Sequence, residues 1–167
     1  MKCRQNWSET CENALNNQIK AELQASYDYH ILSTYFFRDD IGLDNMGVYF
    51  DKASLEEREH ANKLIRYQTK RGGIVTFSSL TVPDLKLDKE FCVKEAFTIA
   101  LTLEKQVNEH LLKLHQTATD DPQFSDFLEG EFLSEQVDAI SDISKKISQL
   151  ELIGNDGHGI WEFVNKL

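Results

Sequence analysis

Glu57 and His60 stand three residues apart in a long stretch of helical pattern, so their side chains share one helix face and can share a metal ion. Following the apolar residues at spacings of three and four gives four seams, and each contains polar groups. The first reads Leu15, Ile19, Glu22, Ser26, Tyr29, Ser33, Phe36, and the second Met46, Phe50, Ala53, Glu57, His60, Leu64, Tyr67. The third reads Phe97, Leu101, Glu104, Asn108, Leu111, His115, and the fourth Leu133, Gln136, Ile140, Ile143, Ile147, Leu150. An isolated buried carboxylate protonates, finds a partner or binds a cation. No lysine or arginine lies in the seams near Glu22, Glu57 and Glu104. A divalent or trivalent metal would resolve their repulsion, and oxygen donors with a single imidazole suit iron or manganese better than copper. One seam glutamate alone could reach solvent at a bundle end, and a lone His60 could be a hydrogen-bonded core histidine. Four helices that each supply such a group point to a shared centre.

The elements that must position these groups are long. Helical pattern runs over about 10–37, then 45–71 with Asp44 as N-cap and Gly72-Gly73 as stop. A segment over 74–87 is β-rich at first and contains Pro83. A third helix starts near Asp88 and reaches about 119. Asp121-Pro122 opens a fourth that reaches about 153, and glycines at 154, 157 and 159 precede a short helix over 160–167. Helices of roughly 27 residues are about 40 Å long. The link over 39–43 is short, which makes helices one and two antiparallel, whereas 74–87 can run the length of a bundle. The expected fold is all-α: an antiparallel four-helix bundle with one long crossover and a short fifth C-terminal helix, with 1–167 as one domain.

Composition excludes several function classes. Of 167 residues, 18 are basic and 28 acidic, a formal charge of -10. Nucleic acid and anionic membrane are therefore not expected partners, and cations are. No run of about 18 apolar residues exists to span a membrane. The first seven residues carry positive charge with no apolar run behind them, unlike a secretory signal. Three cysteines, Cys3, Cys11 and Cys92, show no paired spacing, so a reduced, cytoplasmic chain is expected.

Within this frame the sequence resembles the ferritins, specifically the eukaryotic heavy-chain (ferroxidase) type. The likeness rests on Glu22-Leu23-Gln24-Ala25-Ser26-Tyr27-Asp28-Tyr29, Glu56-Glu57-Arg58-Glu59-His60-Ala61, Arg71-Gly72-Gly73, Leu103-Glu104-Lys105-Gln106-Val107-Asn108 and Glu135-Gln136-Val137. A helix-borne Glu-x-x-His is itself an established signature of ferritin-like di-iron bundles. The resemblance implies a di-iron centre inside each subunit. Glu22, Glu57 and His60 would hold the first iron, with Glu57 bridging, and Glu104 the second. Gln136 would hydrogen-bond nearby, Glu56 would serve as a mobile or transfer ligand, and Tyr29 would assist electron transfer to oxygen. Val107 and Asp138 stand where a second Glu-x-x-His would place histidine, unlike bacterioferritin.

The implied function is oxidation of Fe(II) by dioxygen, with ferric mineral stored inside a cage of 24 subunits, alone or mixed with other ferritin subunits. The alternative is a passive iron-nucleating shell subunit. Residues 114–144 hold no lysine or arginine, and the resemblance places Asp126 and Glu129 in a three-fold entry channel near His115. Ser125 stands where relatives often have cysteine. Glu131 is expected to strengthen that funnel, and Glu59 to face the cavity as an inner-surface ligand. Tyr35, Phe36, Phe37 and Phe77 are expected to be exposed and to support self-association. The short last helix is expected to lack the family's four-fold-axis residues.

Overall fold

The computed structural model describes residues 2–88 and 91–167. The first long helix, α1 (Glu9–Phe36), packs chiefly against α2 (Asp44–Lys70), and α3 (Val93–Thr117) packs against both α1 and the fourth long helix. That fourth helix runs from Pro122 to Ile153 in three parts: α4 (Pro122–Leu128), a π-helical turn (Glu129–Leu133) and α5 (Ser134–Ile153). The short α6 (Gly157–Asn165) ends the all-α bundle.

Local chemistry sets the helix ends. The Ser8 hydroxyl accepts the Cys11 N–H at 3.0 Å and starts α1. Asp44 is the first residue of α2 rather than its cap, which places its charge at the positive helix end. The third helix begins at Val93, later than Asp88, because the Glu95 carboxylate accepts the Cys92 backbone N–H at 2.8 Å and closes a capping box there. Residues 89 and 90, inside the expected span, lie outside the described residues. Asp121 caps α4, and Asp156 accepts the N–H groups of His158 and Gly159, so α6 begins at Gly157 rather than 160.

The crossover after Gly73 forms no strand among the described residues. Side chains of α1 take the place of a neighbouring strand. Asn16 donates to the Ile74 carbonyl at 2.9 Å and accepts the Thr76 N–H at 3.1 Å. Eight residues on, Gln24 donates to the Thr81 carbonyl at 2.7 Å and accepts the Thr81 N–H at 2.8 Å.

Two apolar clusters fill the bundle, one around Trp7, Leu15, Leu64, Leu111 and Phe124, the other around Leu32, Phe36, Phe50 and Phe97. Tyr35 and Phe36 belong inside the second cluster, 3% and 1% exposed, so neither serves self-association as expected. The Tyr35 hydroxyl donates to the Asp88 carbonyl at 2.8 Å, while Phe37 and Phe77 do stay exposed. In α3 the buried line is Phe97, Ala100, Glu104, Val107, Leu111 and Leu114. Leu101, Asn108 and His115 are half-buried at the edge of that face, each one residue, or about 100° of helix rotation, beyond Ala100, Val107 and Leu114. Between the two clusters α1 and α2 are joined through serines. There the Ser26 hydroxyl donates to the Ser54 carbonyl and the Ser54 hydroxyl to that of Ser26, each at 2.7 Å.

Candidate functional site

The polar residues of the seams meet between the two apolar clusters. One turn before the Ser26 contact, α1 supplies Glu22, which is 0% exposed. Its Oε1 accepts the Gln18 amide at 2.7 Å, while its Oε2 is buried with no partner. From α2 comes Glu57, whose Oε2 is also buried without a hydrogen bond. His60 sits one turn on, with Nδ1 3.5 Å from that oxygen. One ligand atom each from Glu22, Glu57 and His60 lie within 4.8 Å of one another.

A second cluster shares the same imidazole. Glu56, His60 and Glu135 again bring ligand atoms within 4.8 Å, with His60 Nε2 3.3 Å from a Glu135 carboxylate oxygen. The edge of Phe132 packs against the His60 ring, with centroids 5.7 Å apart. Glu104 faces this group from α3. The Tyr29 hydroxyl donates to its Oε1 at 2.5 Å, and the Gln136 amide donates to its Oε2 at 2.5 Å and its backbone carbonyl at 2.9 Å.

The fourth helix reaches the centre by means of its π-helical turn. Phe124, Leu128, Phe132 and Gln136 are all buried at a constant spacing of four, which a regular α-helix would rotate away from the core. The wider turn at Glu129–Leu133 takes up that rotation and presents Gln136 inward with Glu135 beside it.

Electrostatics show groups held against their own repulsion. Burial, and then the neighbouring Glu57 charge, raise the Glu22 carboxyl well above its usual range. Burial pushes Glu57 up to about 8, opposed by the adjacent Glu22 carboxyl and reinforced by Glu104, Glu56 and Glu135. Glu56 is raised by burial, with His60 opposing. The Tyr29 phenol is raised well above its normal value by burial and by Glu104. Carboxylates crowded into a dry site, two with an oxygen that nothing satisfies, are chemically suited to a hard cation. Tyr29, Tyr49, Glu56, Glu104, Glu135, Asp138 and Asp142 line a cavity of about 300 Å³ beside the centre. Asp138 and Asp142 stand at its exposed side.

Glu22, Glu56, Glu57, His60, Tyr29, Glu104 and Gln136 thus come together between the two apolar clusters. Glu135 was missed, because the seam pattern follows Gln136 and sets its neighbour outside. Gln18 was missed too, although it lies one helical turn before Glu22. Asp126 and Glu129 lie elsewhere, exposed on α4 and the π-helical turn, with Glu129 Oε1 2.7 Å from His115 Nε2. Glu131 faces α2 instead, 3.4 Å from the Lys63 ammonium. Glu59 is exposed and held by Asn62 and Arg66, at 3.3 Å each.

Comparison with known proteins agrees with this geometry. A model of the ferritin-like domain matches residues 12–153. The chain is 47% identical over 171 residues to ferritin-1, chloroplastic, of Nicotiana tabacum, an alignment covering 99% of this chain and 67% of that protein. It is 46% identical to ferritin-2, chloroplastic, of Zea mays, covering 98% of this chain and 67% of the relative. Ferritin-4, chloroplastic, of Arabidopsis thaliana is 47% identical, with 98% and 64% covered. The chain spans about two thirds of the length of these relatives. Their names overturn the expected cytoplasmic location, because they are chloroplastic proteins and point to a plastid. Cys3, Cys11 and Cys92 are free thiols, which bears on redox conditions and carries no address. Kinship over nearly the whole chain and a carboxylate–imidazole centre suited to iron lead to one conclusion: the chain belongs to the ferritin family, as a ferroxidase-type subunit that oxidises Fe(II), stores the product and assembles with copies of itself into a cage.

Proposed function

We propose that Glu22, Glu57 and His60 take the first Fe(II), with Glu57 bridging to a second held by Glu104, while Gln136 orients Glu104. The observation that carries this reading is a pair of buried oxygens without hydrogen bonds, Glu22 Oε2 and Glu57 Oε2, in carboxylates that cluster with the His60 ring. Each Fe(II) gives up one electron, and dioxygen takes the two. Anionic oxygen ligands favour Fe(III) over Fe(II) because the ion's charge is higher, which drives the oxidation. The Tyr29 hydroxyl, bonded to Glu104, stands beside the second site to assist electron transfer. Glu56 and Glu135 share His60 with the first site and form the step by which iron moves on.

Residues 1–167 act as one domain in this reading. Copies close into a 24-subunit cage, alone or mixed with other ferritin subunits, and the chloroplastic names of the relatives favour a plastid setting. Asp126 and Glu129, with His115 beside them, would draw Fe(II) through a three-fold opening by their combined negative potential. Ferric product leaves the centre along the cavity towards Asp138 and Asp142. Reversing the charge in Asp138→Lys is expected to lower steady turnover about tenfold by removing that attraction. Stopped-flow absorbance over successive additions of Fe(II) measures it, and an unchanged later turnover would remove Asp138 from the route.

A passive shell would bind iron without oxidising it. Aerobic addition of Fe(II) to the purified protein, followed by size-exclusion chromatography read for protein and iron together, separates the two. Rapid oxidation with ferric iron eluting in a large assembly is the expected result. Slow oxidation at the rate of protein-free buffer would favour the passive shell, and precipitated iron beside a small protein species would remove the storage role.

A further inference from the structure

Gln18 is 1% exposed and makes one side-chain hydrogen bond, from Nε2 to Glu22 Oε1 at 2.7 Å. Its own Oε1 is buried with no partner. A buried amide with half of its polar atoms unmet is a net penalty, which an apolar side chain of similar volume would avoid. The compensating gain must lie in the single bond that it makes, and that bond goes to a carboxylate of the metal centre. It engages Glu22 Oε1 and leaves Oε2 without a partner, in a carboxylate that has an oxygen within 4.8 Å of ligand atoms of Glu57 and His60.

Gln18 also marks a boundary. It lines a groove of about 510 Å³ between α1 and α3, together with Lys20, His110 and Lys113. None of those three cationic or potentially cationic groups has an ion-pair partner among the described residues. The amide therefore stands between the Glu22 carboxylate and a face of opposite charge. Resting on the assignment of Glu22 to the first iron, we infer that Gln18 is a positioning residue. Its amide fixes the Glu22 carboxylate so that iron is bound through Oε2 alone, and holds it away from the lysines of the outer groove.

The test is a Co(II) titration of the full-length assembled protein, followed by the visible ligand-field bands. Gln18→Met keeps the bulk and removes the donor. Co(II) affinity at the first site is expected to fall about 10- to 100-fold, the usual consequence of losing a hydrogen bond that orients a metal ligand. The thermal midpoint of the metal-free variant should move little, because the unmet Gln18 acceptor is lost while Glu22 Oε1 is left without its donor. A merely structural residue would lower that midpoint instead. Gln18→Glu keeps the length without the amide donor and should not restore affinity, and it carries the test if Gln18→Met does not assemble. In a Glu22→Gln background, Gln18→Met should add no further loss of affinity. Affinity within twofold of the parent in both variants, an equal loss without Glu22, or a matching drop in metal-free stability would overturn the inference. A parent protein that binds no Co(II) at this centre would instead overturn the assignment of the centre itself.

Discussion

Glu57→Gln is expected to slow Fe(II) oxidation by more than about 100-fold while raising the stability of the metal-free protein. Loss of a residue that only orients a ligand already reduces metal affinity or activity about 10- to 100-fold, and removal of a bridging carboxylate should exceed that. Glu57 is where the centre joins. Its Oε2 lies 3.5 Å from His60 and has no hydrogen bond, and its carboxyl is pushed up to about 8, chiefly by burial. Glutamine keeps the shape and cannot ionise, so the metal-free bundle no longer bears the cost of keeping a buried carboxyl protonated. Oxygen consumption after adding two Fe(II) per subunit, with calorimetry on the metal-free variant, reads both effects. Oxidation near the parent rate would place the chemistry at Glu56, His60 and Glu135 alone. A fall in metal-free stability would mean that Glu57 is a structural hydrogen-bonding residue rather than a strained ligand.

The sequence made the centre legible because burial and periodicity are coupled. Glu22, Glu57 and Glu104 each fall in an apolar seam, and a helix of 3.6 residues per turn carries a seam residue into the core. Features without that periodicity were harder to read. The π-helical turn at Glu129–Leu133 leaves no mark in spacings of three and four, so the turn itself and the arrival of Glu135 emerge only in three dimensions. The crossover looked β-rich from its residue types, yet among the described residues its polar partners include the amides of Asn16 and Gln24 on a helix rather than a strand. Tyr35 and Phe36 looked like exposed contact residues at the end of α1, but that end is covered by the chain around Phe91 and Asp88. Charge counting suggested Glu131 for an acidic funnel and could not show that Lys63, distant in sequence, lies 3.4 Å from it.

The metal-free protein is expected to lose stability as pH rises from about 5 to about 8.5, the reverse of a protein stabilised by ionised carboxylates. Glu57 titrates at about 8 in the folded chain, against an ordinary value of 4.5. Glu22 is displaced in the same direction by burial and by Glu57. Between those two values the folded state holds more protons than the unfolded chain. The contribution of these groups is therefore complete below the ordinary value, declines as pH rises, and is lost once pH passes the folded value. Asp121 works in the opposite sense at lower pH. Burial raises it, but the Arg71 guanidinium and the Phe124 N–H outweigh burial and hold it below its usual range. Its contribution is present above that range and is lost as pH falls through its folded value. Divalent metal should invert the trend above neutrality, because it takes the place of the protons on Glu22 and Glu57 and binds more tightly as those protons become easier to remove. At a free metal concentration about 100 times Kd, the stabilisation should approach about 2.7 kcal/mol. Denaturant midpoints across this pH range, with and without Zn(II), measure both trends. Metal-free stability that climbs steadily to pH 8.5 would show that Glu22 and Glu57 are already ionised and satisfied in the resting fold, and the case for iron as the missing partner of their buried oxygens would fall with it.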